Sequence, residues 1–586
     1  MYRLIEIINI GTQGLQGARC KLIRECVGVE IDHGSMGSIV MHNRLFYYFL
    51  SISAIILSIE KERGHGMRTL LKHGTVYDGT GRPAFTGDVL VEDEHIAEVS
   101  PRIECEADRT IDCNGLCVAP GFIDAHSHND FFIDKDNTEQ CFAPFIKQGI
   151  TTQIVGNCGL SPFGLAEDSP HKDKIGGGIF SAKDPGSFER FVDEAKGRLH
   201  VNIAPLVGHG TARVGVNGST PDPLTKPQMK VMLSHVNEAM EGGAFGGSFG
   251  LMYEPSLYAP FDELVAFCRE IAHNDGVVTV HPRACSKVAL GYRPIFSKPH
   301  IELALDEVIS IAQAAGADLQ YSHFVCVGES TWRCSDHILK KLHANEVPYD
   351  IFSFCHGASV ITVILPLWYM GLSEQERKSP SVQMRLKLEI NVARKLLGID
   401  FDDFTIADID DEYEQYLGKN IAQIASEEGL SKIDMYIKLV DITNGQARVY
   451  IRKYNNDDIV HTLMMDSHSM FMTDSWIEDK GIQTQIAFQG FPYFLVRAKQ
   501  QGFPLETMIH KMTGKSAKRF GLPRRGELKV GNFADVTVFD YEGVAVDLAA
   551  PESTPEGIEY VLINGKTVVD EGVYRPSMCG QMVLKS

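Results

Sequence analysis

Apolar and polar positions alternate in short runs at both ends of the folded part of this chain. Gly87-Asp88-Val89-Leu90-Val91-Glu92-Asp93-Glu94-His95-Ile96-Ala97-Glu98-Val99 reads as a strand, an acidic turn and a second strand. A period of two describes a strand with one buried face. The texture returns in Ala534-Asp535-Val536-Thr537-Val538-Phe539-Asp540 and in the stretch from Tyr560 to Val569. Neither flank is large enough to enclose a core of its own. Residues 67–120 and 516–586 are therefore expected to meet as one small β-sandwich.

Residues 121–515 carry a different rhythm. Short apolar runs such as Gly149–Gly156, Gly276–His281 and Ala317–His323 are followed by stretches with helical spacing. Glu302–Ala315 places Leu, Val and Ile at helical intervals, and Gly316 suits the left-handed residue that ends a helix. Strand–helix alternation of this length argues for an α/β domain. No glycine-rich nucleotide fingerprint follows any strand, so an eightfold (β/α)8 TIM-like barrel fits better than an open sheet. Its active site is then expected at the C-terminal strand ends. Residues 367–458 are more charged, and a helical elaboration is expected there.

Composition narrows the function. The 586 residues carry a formal net charge of -20, which disfavours nucleic acid and anionic membrane surfaces as partners. Thirteen scattered cysteines read as reduced thiols in a cytoplasmic protein. The uncharged run Leu45–Ile59 is 15 residues long, short of the roughly 20 that span a bilayer. Residues 1–66 are read as an extension outside the enzyme, with Met67 opening the first strand, and a membrane is expected only if residues 45–59 act as an anchor. Oligomeric state is not legible in the sequence.

The chemistry is concentrated at strand ends. In Gly121-Phe122-Ile123-Asp124-Ala125-His126-Ser127-His128, two histidines two residues apart close an apolar run, and in a strand both rings face one side. Cys158 follows a strand in Val155-Gly156-Asn157-Cys158-Gly159; His281 and His323 each terminate one, as does Asp474 in Ser469–Asp474. Each residue alone has an ordinary structural reading. Together they offer N, S and O donors suited to zinc with a position left open for water. Tyr253 is a candidate for lining an acyl pocket or polarising a carbonyl, or equally a packed aromatic. His209, in Gly208-His209-Gly210, reads as a loop residue beside the site or a loop-shaping hydrogen bond.

These segments resemble the amidohydrolase superfamily and, within it, the D-aminoacylase (N-acyl-D-amino-acid deacylase) family. The resemblance rests on Ala119–His128, Val155–Pro162, Gly208–Arg213, Gly250–Pro255, His281-Pro282-Arg283, Ser322-His323-Phe324 and Arg525–Asp535, and covers residues 67–586. It implies one tightly bound Zn2+ on Cys158, His281 and His323. His126, His128 and Asp474 would flank a neighbouring position with room for a second ion. It further implies hydrolysis of a small-molecule linear amide, a metal-bound hydroxide attacking the carbonyl with Asp474 as general base and then acid. Two alternatives stay open: a cyclic-amide hydrolase of the hydantoinase or dihydroorotase kind, and a non-catalytic homologue.

The sequence also departs from the family. Val325 stands where the family often has a lysine that holds a substrate carboxylate. Phe352 and Phe354 stand where it has tyrosines, and the arginine expected after the aspartate is missing from Thr484–Phe491. The substrate is therefore expected to be atypical. Arg283, Arg213 and Lys511 are the candidates for a displaced anchor, each with a structural or surface alternative.

Overall fold

A computed structural model of the chain describes residues 66–289, 292 and 298–585. The expectations placed on residues 1–65, including the run Leu45–Ile59, lie outside the described residues. No helix among the described residues is long and apolar enough to cross a membrane.

Eight short strands form a parallel barrel: β1 (Phe122–Asp124), β2 (Ile150–Val155), β3 (Asn202–Gly208), β4 (Gly246–Gly250), β5 (Val277–His281), β6 (Asp318–Tyr321), β7 (Tyr349–Ile351) and β8 (Ser469–Phe471). They lie side by side in chain order, β1 next to β2 through to β7 next to β8. The first and last strands meet through backbone bonds, Ala125 N to Phe471 O (3.2 Å) and Asp474 N to His126 O (2.9 Å). Every residue of β1 to β4 is buried, as expected for strands covered on one face by helices and on the other by the barrel interior. Helix His300–Ala315 ends at Gly316 in the left-handed conformation, as its sequence predicts.

Residues 68–120 and 536–574 build one nine-stranded sheet. The join is the antiparallel pair of Cys117–Pro120 with Val536–Phe539, in register Val536 with Pro120 and Thr537 with Ala119. Leu71, Val89, Val91, Ile96, Val118, Val536, Val538 and Leu562 share its core. A buried polar knot ties this sheet to the barrel. Asp535 accepts hydrogen bonds from Asn202 Nδ2 on β3 (3.1 Å) and from Asn564 N (2.9 Å), and pairs with the Arg525 guanidinium. Removing one partner strands a buried charge, so Asp535→Ala is expected to cost about 3–5 kcal/mol. Urea unfolding measures it, and a loss under about 1 kcal/mol would show that the knot contributes little.

The segment between β7 and β8 departs from the helical expectation. It contains an antiparallel sheet in the order His356–Val360, Arg448–Arg452, Phe404–Asp408, packed with helices around a separate apolar core. The strands Phe404-Thr405-Ile406-Ala407-Asp408 and Arg448-Val449-Tyr450-Ile451-Arg452 are short and lie in charged surroundings, which masks their alternation.

Candidate metal centre

Strand ends bring the six predicted donors together. His126 and His128 follow β1, Cys158 follows β2, His281 closes β5, His323 follows β6 and Asp474 follows β8. Two groups of donor atoms result, each within 4.8 Å of one another: His126, His128, Cys158 and Asp474, and Cys158, His281 and His323. Cys158 belongs to both. Its Sγ lies 3.3 Å from His126 Nε2 and 3.7 Å from His281 Nδ1. The Asp474 carboxylate lies 3.4 Å from the Nε2 atoms of His126, His128 and His323.

The Cys158 turn shows why the local sequence is Gly-Asn-Cys-Gly. Gly156, Cys158 and Gly159 all have positive φ, at 77°, 56° and 79°. A Cβ on Gly156 would sit 1.8 Å from Leu206 O, and one on Gly159 would sit 2.9 Å from Gly250 N. Asn157 donates to Ile154 O (3.0 Å) and accepts from Thr279 Oγ1 (3.1 Å). Tyr253 donates its hydroxyl proton to Cys158 O (3.0 Å), and its ring stands edge-on to His281 at 5.2 Å. In this arrangement Tyr253 holds the thiol's turn in place.

Electrostatics favour a cation here. Burial holds the imidazoles of His126, His281 and His323 below their ordinary pKa, which favours their neutral form. Burial, then Asp474, pushes the Cys158 thiol well above its ordinary value, so thiolate forms only with a compensating positive charge. Burial also opposes ionisation of Asp474, but the imidazoles, His323 and His126 foremost, outweigh it and hold the carboxyl low. Neutral nitrogens, one sulfur and one carboxylate in a buried cluster fit a zinc-type ion.

Two carboxylates that the sequence reading did not single out stand behind the donors. Asp124 on β1 accepts from Thr473 N (2.8 Å) and Thr473 Oγ1 (2.6 Å), and burial raises its pKa to about 7. Asp350 on β7 accepts from Gln320 (3.0 Å) and Ser322 (2.9 Å); burial raises it to about 8, and its other oxygen lies 3.8 Å from His126 Nδ1. A carboxylate behind an imidazole, as Asp350 stands behind His126, can orient a ring toward a metal. The signal was available: an aspartate inside a wholly buried strand needs a partner.

The remaining candidates are engaged elsewhere. His209 is not in a loop; it opens the helix His209–Asn217 and is fully buried, contacting Ser256 Oγ (2.9 Å) and Glu263 Oε1 (3.1 Å). Arg213, one turn on, donates to the same Glu263 oxygen (2.8 Å). Arg283 grips Glu307 through Nε (3.0 Å) and Nη2 (2.9 Å) and donates to Leu257 O (2.8 Å). Lys511 is buried against Ser469 Oγ (2.6 Å). A third group, His343, Asp466 and His468, lies at the start of β8, the opposite end from Asp474, where His343 pairs with Asp466 at 2.6 Å.

A barrel with these side chains at its C-terminal end, joined to a sheet built from residues 68–120 and 536–574, is the arrangement to compare with known proteins. An amidohydrolase family model matches residues 467–569. D-aminoacylase of Alcaligenes xylosoxydans xylosoxydans is 28% identical over 532 residues, covering 88% of this chain and 97% of that protein. A crystal structure of D-aminoacylase, described as defining a novel subset of amidohydrolases, superposes with a TM-score of 0.71 at 26% identity, over 88% of this chain and 99% of that one. A second, from work on the binuclear metal centre of D-aminoacylase, gives 0.70 at 26% over the same shares. The chain is similar over most of its length to amidohydrolases of the D-aminoacylase kind. It is a hydrolase of carbon–nitrogen bonds other than peptide bonds, in linear amides.

Proposed function

We propose that the chain hydrolyses a small-molecule linear amide at a zinc centre, with Asp474 moving the proton. The convergence of two donor groups on the shared Cys158 carries this reading. Cys158, His281 and His323 would hold the tighter ion. His126, His128 and Asp474 flank a neighbouring position with room for a second, and the binuclear centre named for D-aminoacylase supports that arrangement. The bound ion supplies a polarised carbonyl and a more acidic water.

The protein's own groups do the rest. Asp474 is more open than its neighbours, with 21% side-chain exposure against 0% for His126 and 4% for His128. It is placed to take a proton from the attacking water. It then returns that proton to the departing nitrogen, which must be protonated to leave. Asp124 and Asp350 hold the donor strands and the His126 ring. Tyr253 fixes the Cys158 turn, and the pair His209–Glu263 braces the helix behind it.

Removal of metal tests the reading. Chelation is expected to bring hydrolysis of N-acyl amides to background and to lower Tm, and zinc should restore both. Full turnover in protein shown by elemental analysis to be free of metal would reject it.

A further inference from the structure

The two-residue alternation of β6 and β7 continues beyond the ends of these strands. Past β6, Phe324 and Cys326 belong to the main apolar core, while Val325 and Val327 join a second cluster that holds Ile123, Ile154 and Leu206 of the barrel strands. Backbone bonds hold this segment in line: Phe324 N to Asp350 O (2.9 Å), Cys326 N to Tyr454 O (2.9 Å) and Val327 N to Cys285 O (2.8 Å). Past β7, Ser353 donates to Gly490 O (2.7 Å), and Phe352 and Phe354 join the same second cluster as Val325.

Cys285, Tyr454 and Tyr493 complete this wall. Phe354 packs on Tyr493 with ring centroids 4.6 Å apart, and Tyr454 donates its hydroxyl to Ala358 O (3.0 Å), leaving only its ring to offer. The wall lies within electrostatic reach of the reacting groups: Asp474 adds to burial in raising the Cys285 thiol to about 12. On the other flank the His128 ring stacks on Phe180 at 5.0 Å, and Trp476 stands against Phe180 at 4.6 Å.

Four cations of the described residues around it are already paired. Arg283 pairs with Glu307, Arg448 with Glu478 (3.2 Å), Lys453 with Glu329 (2.8 Å) and Arg497 with Asp457 (2.7 Å). A substrate carboxylate laid against the apolar side chains named on either flank would lose its water with no charged partner among them.

We propose that the substrate is a linear amide that is uncharged and apolar on both sides of the scissile bond, such as an N-acyl amine or an amide-capped amino acid. This rests on the amide-hydrolase reading of the same site. A matched series tests it with the zinc-loaded full chain: N-acetylphenethylamine, N-acetyl-D-phenylalaninamide, N-acetyl-D-phenylalanine and N-succinylphenethylamine. The first two are expected to exceed the two acids by about 100-fold in kcat/KM and to bind more tightly by calorimetry. Val325→Lys is expected to narrow the handicap of N-acetyl-D-phenylalanine at least tenfold. Acids hydrolysed and bound as well as the neutral compounds would overturn the proposal. Neutral compounds that bind more tightly yet are not cleaved would uphold it and count against the hydrolytic reading instead.

Discussion

Asp474→Asn is expected to lower kcat on any cleaved amide by about 10^3-fold, near the middle of the range for loss of a general acid–base. The amide is nearly isosteric with the carboxylate, so the backbone bond from Asp474 N to His126 O that closes the barrel is kept. Cys158, His281 and His323 are untouched, so zinc bound to that group should remain. The informative result is thus a split: near-normal Tm and zinc content with turnover removed. Turnover within tenfold of the parent would show that another group moves the proton.

Cys158→Ser is expected to produce the opposite pattern. Cys158 is the one donor common to both groups, so its loss weakens two positions at once. A serine hydroxyl is a poor neutral ligand beside a thiolate. Changes that only perturb the partners of a metal ligand commonly cost 10- to 100-fold in affinity, so losing the ligand itself should cost more than about 100-fold. Zinc per chain should fall below half, and activity with it. Excess zinc should recover part of that activity, which it cannot do for Asp474→Asn. Full zinc and full activity in the Cys158→Ser enzyme would show that the sulfur is not a ligand.

The six side chains that the structure brings together were legible because they sit where periodicity is clearest. A strand of period two that ends in His126-Ser127-His128 can aim both rings at one point, and the apolar runs before Cys158, His281, His323 and Asp474 mark the other strand ends. The barrel and the sheet shared by both termini followed from the change in texture near residue 120. Less legible was what the tertiary structure adds. Gly208-His209-Gly210 looks like a loop, yet Gly208 precedes a helix whose first residue is buried against Glu263. Arg283 stands two residues from a donor, but its charge is met by Glu307, whose position in sequence says nothing of the contact. Asp124 and Asp350 were hidden by their neighbours: in a short apolar run, one aspartate reads as a strand end, not as a support for His126.

The segment between β7 and β8 also bears on how the barrel can close. Tyr349 pairs in parallel with Ser469, although residues 352–468 lie between these strands. A flexible chain of that length would carry a large closure entropy, growing with the logarithm of its length. Here His356 faces Arg452 across an antiparallel pair, so the segment leaves and returns at one place around its own core. Only residues 352–355 and 453–468 then separate the two barrel strands, which lowers the entropic cost of closure by about 1.5 kcal/mol. The segment thus acts as an entropic splint that delivers the strand bearing Asp474 to the seam beside His126.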